Sequence, residues 1–302
     1  LLFRTANKHK FSLIKKYFTK KICLYPKNQF FKYKKHKLKS SSLKKTLLLQ
    51  TLRYFVQLAM KRFLYFLYQW LVFTPIVLVL TVLTSLIVII FSLIFGNKYF
   101  GYYPPKYWGK LLCWLALSPV KVRGKGLTNP NQSYVFVANH QGYFDILMSY
   151  GFLNQNIKWV QKQSLRNVPI MGKASEIAGH VFVDNSSPRK RIETIKKAEK
   201  QIVDGVSIFI FPEGSRTWDG KMGRFKRGAY QIAIDLKLPI VPITLNGPFE
   251  VLPRFTWMMK PHKMEMVIHE PISTDNLTEA DIPQLMNKTK EIIYNDLWEK
   301  YK

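Results

Sequence analysis

Apolar and polar positions divide this chain into two regimes. Residues 70–95 read WLVFTPIVLVLTVLTSLIVIIFSLIF, and no charged residue falls between Arg62 and Lys98. At ~1.5 Å rise per residue, a helix of that length exceeds a hydrocarbon core of ~30 Å, so the run predicts a membrane helix. Pro75, near one end, is placed to kink it, and a shallow re-entrant hairpin is the alternative to a full span. Residues 111–120 (LLCWLALSPV) are too few to span. They predict an interfacial or packing helix, with Trp108 and Trp114 suited to the headgroup zone.

From residue 120 onward short apolar runs alternate with amphipathic stretches. Strands are predicted at 120–123, 134–138, 157–161, 180–183, 207–211, 240–245 and 264–269. A helix is expected to start at Ser187–Pro188, carry Ile192, Ile195, Ala198 and Ile202 on one stripe, and stop at Gly205. Phe225, Ala229, Ile232, Ala233 and Leu236 recur at helical spacing. Thr278 with Asp281 has the form of a capping box opening a helix that runs towards Lys302. Strands interleaved with helices predict an α/β layered domain: a mostly parallel or mixed seven-stranded sheet flanked by helices and preceded by an N-terminal membrane helix.

Charge sharpens the division. The chain carries a net +29, yet residues 1–144 hold 24 Lys/Arg and no Asp/Glu, and the first acid is Asp145. The 47% hydrophobic content excludes a disordered basic tail. Residues 1–59 are Lys-rich and precede the first methionine, Met60, which is followed at once by Lys61, Arg62 and the apolar run. They are expected to be a basic leader, disordered or upstream read-through. An Arg-poor organelle presequence and a nucleic-acid arm are the rivals. Residues 60–97 are then the anchoring helix and 98–302 the folded domain. Lys61 and Arg62 on one flank and Lys98, Lys106 and Lys110 on the other leave the positive-inside rule undecided. A monotopic or hairpin arrangement would set both flanks on the cytoplasmic face, against anionic lipid headgroups. The two cysteines, Cys23 and Cys113, support neither a disulfide framework nor a zinc site, and no ligand spacing suggests a metal.

Two polar clusters follow buried strands, where α/β folds tend to place their sites. In Asn139-His140-Gln141-Gly142-Tyr143-Phe144-Asp145, a turn at Gly142 would bring Asp145 back to one imidazole nitrogen of His140, fixing the tautomer and leaving the other nitrogen basic. His180, His262 and His269 have no such setting and are read as structural. In Phe211-Pro212-Glu213-Gly214-Ser215-Arg216-Thr217, Arg216 offers a fork of donors suited to phosphate and Gly214 permits close backbone approach. Glu213 is read either as orienting a hydroxyl-bearing substrate or as pairing with a nearby base. Lys221, Arg224, Lys226 and Arg227 form a solvated basic face.

The segments NHQGYFD and FPEGSRTWDGKMGRFKRG resemble the two signature blocks of the glycerophospholipid acyltransferase family, of the 1-acylglycerol-3-phosphate acyltransferase type. KQSLRNVPIMG with GHVFVD is similar to the family's second block and LPIVPI to its fourth, all in the family's order over roughly residues 100–290. Ser164 stands where the family commonly has Glu, Asn185 follows Asp184 where Arg is common, and Ser215 replaces the more usual Thr while keeping the hydroxyl.

The resemblance implies direct acyl transfer. His140 would be the general base on a lysophospholipid hydroxyl, held by Asp145, with acyl-CoA or an acidic acyl-carrier protein as co-substrate and no other cofactor. Arg216 and Lys162 would clamp the acceptor phosphate while Gly214 and Ser215 shape the loop. Backbone amides after Gly142 are candidates for holding the oxyanion. Lysophosphatidic acid is the expected acceptor. Glycerol-3-phosphate, lysophosphatidylethanolamine and a lyso-aminolipid are alternatives that the motifs do not separate. A hydrolase using Ser215 would need a G-x-S-x-G elbow, which FPEGSRT lacks. A basic membrane tether or nucleic-acid binder leaves both polar clusters without a reason, so no nucleic-acid partner is expected.

Overall fold

The computed structural model describes residues 41–183, 202 and 205–302, with side chains from residue 49 onward. The chain divides into two units, Leu1–Arg62 and Phe63–Lys302. The expected helix between Ser187 and Gly205 falls almost wholly on residues outside those described, as do Asp184 and Asn185.

Helix α1 (Ser41–Tyr68) passes into a π-helical turn, Gln69–Phe73, and then α2 (Thr74–Phe95). Pro75 sits in the first turn of α2. Inside a helix a proline ring collides with the carbonyl of residue i−4; the wider turn just before it supplies the room. The apolar run is one candidate membrane span within Leu49–Phe95. Its outer face is bare (Leu78, Leu93 and Ile94 are all exposed), while Ser85, Val88 and Ser92, at helical spacing, are buried.

Helix α3 (Asn97–Phe100) and helix α4 (Tyr103–Leu115) turn the chain back along α2. Trp108 is half-buried and donates its indole N–H to Thr81 at 3.1 Å, so it packs against α2, whereas Trp114 stays exposed. Tyr65 and Tyr68 donate to the carbonyls of Ala116 and Leu115.

The strands are β1 (Val120–Arg123), β2 (Val135–Ala138), β3 (Ile157–Lys162), β4 (Val181–Val183), β5 (Ser207–Ile210), β6 (Ile240–Asn246) and β7 (Met264–Ile268). All seven expected strands are present, with ends shifted by no more than one residue. Their order is β1-β7-β6-β2-β5-β3-β4, parallel throughout except for the antiparallel β6–β7 pair. Every residue of β2, β5 and β6 is buried, as expected of parallel strands covered on both faces. Alternation sorts them into two layers. Phe136 and Phe209 join the layer of helix α5 (Phe144–Phe152) and α4; Val135, Val137, Ile208 and Ile210 join that of α7 (Gly228–Asp235) and α9 (Ile282–Asn295). Two short helices lie in the described connections, α6 (Met171–Ile177) and α8 (Pro248–Val251).

The Thr278–Asp281 capping box forms as expected, but α9 ends at Asn295 and only a single turn, Glu299–Tyr301, follows it. Helices α4 and α5 cross closely at Gly109 and Gly151: a Cβ on Gly109 would lie 2.6 Å from the Leu147 carbonyl oxygen. This contact fixes the helix that begins beside the first polar cluster.

Candidate active site

Strands β2, β5 and β6 are adjacent and parallel, so their C-terminal ends open on one edge of the sheet. The Asn139 side chain ties two of them there, donating to the Leu245 carbonyl at 2.9 Å and accepting the Leu245 N–H at 2.8 Å. Both polar clusters leave from this edge, which is why residues so distant in sequence meet.

His140 Nδ1 lies 2.7 Å from Asp145 Oδ2. The same oxygen accepts the N–H groups of Gln141 (2.6 Å) and Gly142 (2.7 Å), so the tight turn between strand and helix closes on the carboxylate. Asp145 is fully buried in the first turn of α5, where the helix dipole favours an anion. The imidazole stacks on Phe211 with centroids 3.9 Å apart and planes 9° apart. Held on one face and at Nδ1, it leaves Nε2 without a protein hydrogen bond among the described residues. The turn also limits which backbone amides are left to hold an oxyanion. Since the Gln141 and Gly142 N–H groups are taken by Asp145, a donor at this helix start must come from a later residue.

Glu213 joins the clusters through the backbone. One carboxylate oxygen accepts the His140 N–H and the other the Gly223 N–H, both at 2.8 Å. The Thr217 N–H donates back to the His140 carbonyl at 3.0 Å. Of the two readings of Glu213, neither anticipated this strap between loops. Burial raises its carboxyl above the ordinary carboxylate value, partly opposed by those two N–H donors.

The loop then presents Gly214 at φ +72°, a left-handed conformation suited to glycine, and exposed Ser215. The Arg216 guanidinium lies 3.7 Å above the Tyr143 ring centroid, which brings the two clusters into contact a second time. Its Nη1 is buried without a protein partner among the described residues, and its backbone carbonyl accepts from Arg254 Nη1 at 2.8 Å. Lys162 ends β3 and is exposed. Among the described residues, no hydrogen bond or ion pair joins it to the rest of the site.

His180, His262 and His269 behave as structural groups. His180 is buried against Tyr150 and Trp159, and burial pushes it down to about 3. His269 is bonded to Thr244, and His262 to the neighbouring Lys263 carbonyl. Among the described residues no group of three or more His, Cys, Asp or Glu side chains could hold a metal. Sequence reasoning did not find Phe211, Tyr143 or Arg254. Phe211 and Tyr143 lie inside the quoted motifs, and an aromatic beside each charged group was the available signal; Arg254 lies outside every motif.

Residues 119–246 match the sequence model of the acyltransferase family. A chloroplastic 1-acyl-sn-glycerol-3-phosphate acyltransferase of Brassica napus is 34% identical over 151 residues, covering 49% of this chain and 43% of that protein. The alpha form from Mus musculus is 31% identical over 176 residues, covering 57% and 61%. The crystal structure of the 1-acyl-sn-glycerophosphate acyltransferase PlsC from Thermotoga maritima superposes with a TM-score of 0.66 at 26% identity, over 78% of this chain and 95% of that one. The chain spans about half the length of the first curated relatives it matches.

Proposed function

We propose that this chain, whose residues 119–246 match the acyltransferase family model, transfers a fatty acyl group from a thioester to the sn-2 hydroxyl of lysophosphatidic acid, forming phosphatidic acid. The observation that carries the reading is the His140–Asp145 pair opening on the same sheet edge as Arg216. Nε2 of His140 takes the hydroxyl proton as the oxygen attacks the thioester carbonyl. Asp145 holds the tautomer and stabilises the imidazolium. When the tetrahedral intermediate collapses, the C–S bond breaks and the imidazolium proton goes to the departing thiolate. Among the described residues no Ser or Cys side chain is hydrogen-bonded to the His140 ring, and the transfer is direct.

Arg216 binds the acceptor phosphate. Its guanidinium lies over Tyr143, its Nη1 has no protein partner among the described residues, and a planar fork of donors suits a phosphate dianion. Lys162 is assigned to the same phosphate, and Gly214 and Ser215 to the loop around it. The donor is acyl-CoA or acyl-carrier protein, and the chain's excess of Lys/Arg suits either polyanion.

The protein works at a membrane. Contacts run along α2 and its flanks: Gln69 to Trp257, Thr81 to Trp108, Val88 to α6 and Asn97 to Ile177. A helix flanked by its own domain over that length favours a monotopic arrangement lying in one leaflet, with the site towards the cytoplasm. The test is turnover of labelled acyl donor by purified protein against a panel of lyso-acceptors. Phosphatidic acid from lysophosphatidic acid, lost in His140→Ala, is the expected result. Equal or better use of lysophosphatidylethanolamine would overturn the acceptor assignment.

A further inference from the structure

Residues 253–263, between α8 and β7, read PRFTWMMKPHK and contain no acid. Here Phe255 is 67% exposed, Trp257 77% and Met258 39%. Apolar side chains kept this far from the core forgo the free energy of burial unless another surface covers them. The loop is nevertheless fastened. Gln69, itself buried, donates to the Trp257 carbonyl and accepts the Met259 N–H at 2.9 Å, so one amide side chain clamps the loop to the π-helical turn. The clamp lies one residue before exposed Trp70 and Leu71, on the apolar surface of the membrane helix. The other end of the loop carries Arg254, which bonds the Arg216 carbonyl and lies 4.0 Å over the ring of exposed Trp218.

We infer that this loop is a second lipid-contacting element, with Phe255, Trp257 and Met258 resting in the headgroup–acyl boundary of an anionic bilayer beside α2. The inference rests on the reading of α2 as a membrane-embedded helix. Three observations favour lipid as the occupant. The apolar surface adjoins that of the helix at Gln69. Trp and Phe stand among Lys260, Lys263 and Arg254 with no acid, the composition that suits anionic headgroups. The backbone is held by hydrogen bonds, so the aromatic side chains are displayed rather than slack. Through Arg254 the loop also sets the height of Arg216 over the bilayer, where a lyso-acceptor's phosphate lies.

The test uses the full chain with Cys23 and Cys113 replaced by Ala, and one cysteine introduced as Trp257→Cys, Leu93→Cys or Lys125→Cys. Each is labelled with an environment-sensitive fluorophore and reconstituted in vesicles of about 3:1 phosphatidylcholine to phosphatidylglycerol. Brominated lipid chains should quench positions 257 and 93 by roughly threefold and leave 125 unchanged. Quenching at 93 with 257 behaving like 125 overturns this inference while leaving α2 in the membrane. Quenching at neither overturns both readings. Protection of 257 by an acidic acyl-carrier protein but not by vesicles makes the loop a carrier-docking surface and also overturns it. A Phe255→Ser/Trp257→Ser double variant, changed only at exposed positions, should lose about tenfold of its turnover in vesicles and keep its turnover in detergent. Equal loss in both settings counts against lipid contact.

Discussion

Asp145 Oδ2 accepts from the His140 ring and from two backbone N–H groups at once, all within 2.7 Å. The carboxylate therefore builds the turn as well as orienting the base, and its variants should separate these tasks. Asp145→Asn keeps an acceptor for the backbone but weakens its hold on the imidazole. The expected result is a fall in kcat of roughly 10²–10⁴-fold with little change in KM for the acceptor. Asp145→Ala orphans buried donors as well, at ~1–3 kcal/mol each, so denaturant midpoints should drop for Ala and much less for Asn.

His140→Ala should remove turnover by a similar factor, roughly 10²–10⁴-fold, while the far-UV circular dichroism and unfolding midpoint stay near those of the parent. The ring is bonded only at Nδ1 and stacked on Phe211, so little of the fold depends on it. Near-parental activity would remove the general base from the mechanism.

Arg216→Ala should raise KM for lysophosphatidic acid by about 10–100-fold and leave an acceptor without phosphate nearly unaffected. Arg216→Lys should recover only part of the loss, because an ammonium cannot reproduce the planar fork or its stacking on Tyr143. An equal loss for both acceptors would move phosphate recognition elsewhere.

Glu213 makes stability depend on pH. Because burial raises its carboxyl, the native state keeps this proton to higher pH than the unfolded chain does. The contribution of Glu213 to stability is therefore greatest below the ordinary carboxylate value and declines as pH rises through the raised one. Unfolding free energies of parent and Glu213→Gln, compared from about pH 4 to about pH 7, should show the parent's relative advantage shrinking with pH. A flat difference would show that the carboxyl is not perturbed.

Gly109→Val should destabilise by ~1–3 kcal/mol, since its side chain would enter backbone atoms of α5. If the unfolding midpoint does not move, the two helices are less closely packed than the Gly109–Gly151 crossing indicates.

Much of this could be read in advance because the decisive signals are local. The strands were found from runs such as VFVA and SIFI, buried throughout and bounded by polar turns. His140–Asp145 was readable because a turn and a five-residue spacing brought the partners together. What stayed hidden depends on contacts between distant segments. The reversal at β7 leaves no mark within MEMVI itself. The strap from Glu213 to His140 joins residues 73 apart, and the Gln69 clamp residues 188 and 190 apart. Composition cannot pair such positions; the packed sheet does.

The antiparallel β6–β7 pairing also keeps a second histidine near a carboxylate away from the first. His269 has Thr244 at 2.9 Å and Asp296 at 3.8 Å, a constellation that would invite chemistry elsewhere. Because β7 travels against β6, its end is delivered beside Pro242, back along the sheet from the Asn139–Leu245 tie. Strand polarity thus works as insulation: it holds His269 back along the sheet from the edge that carries His140 and Asp145.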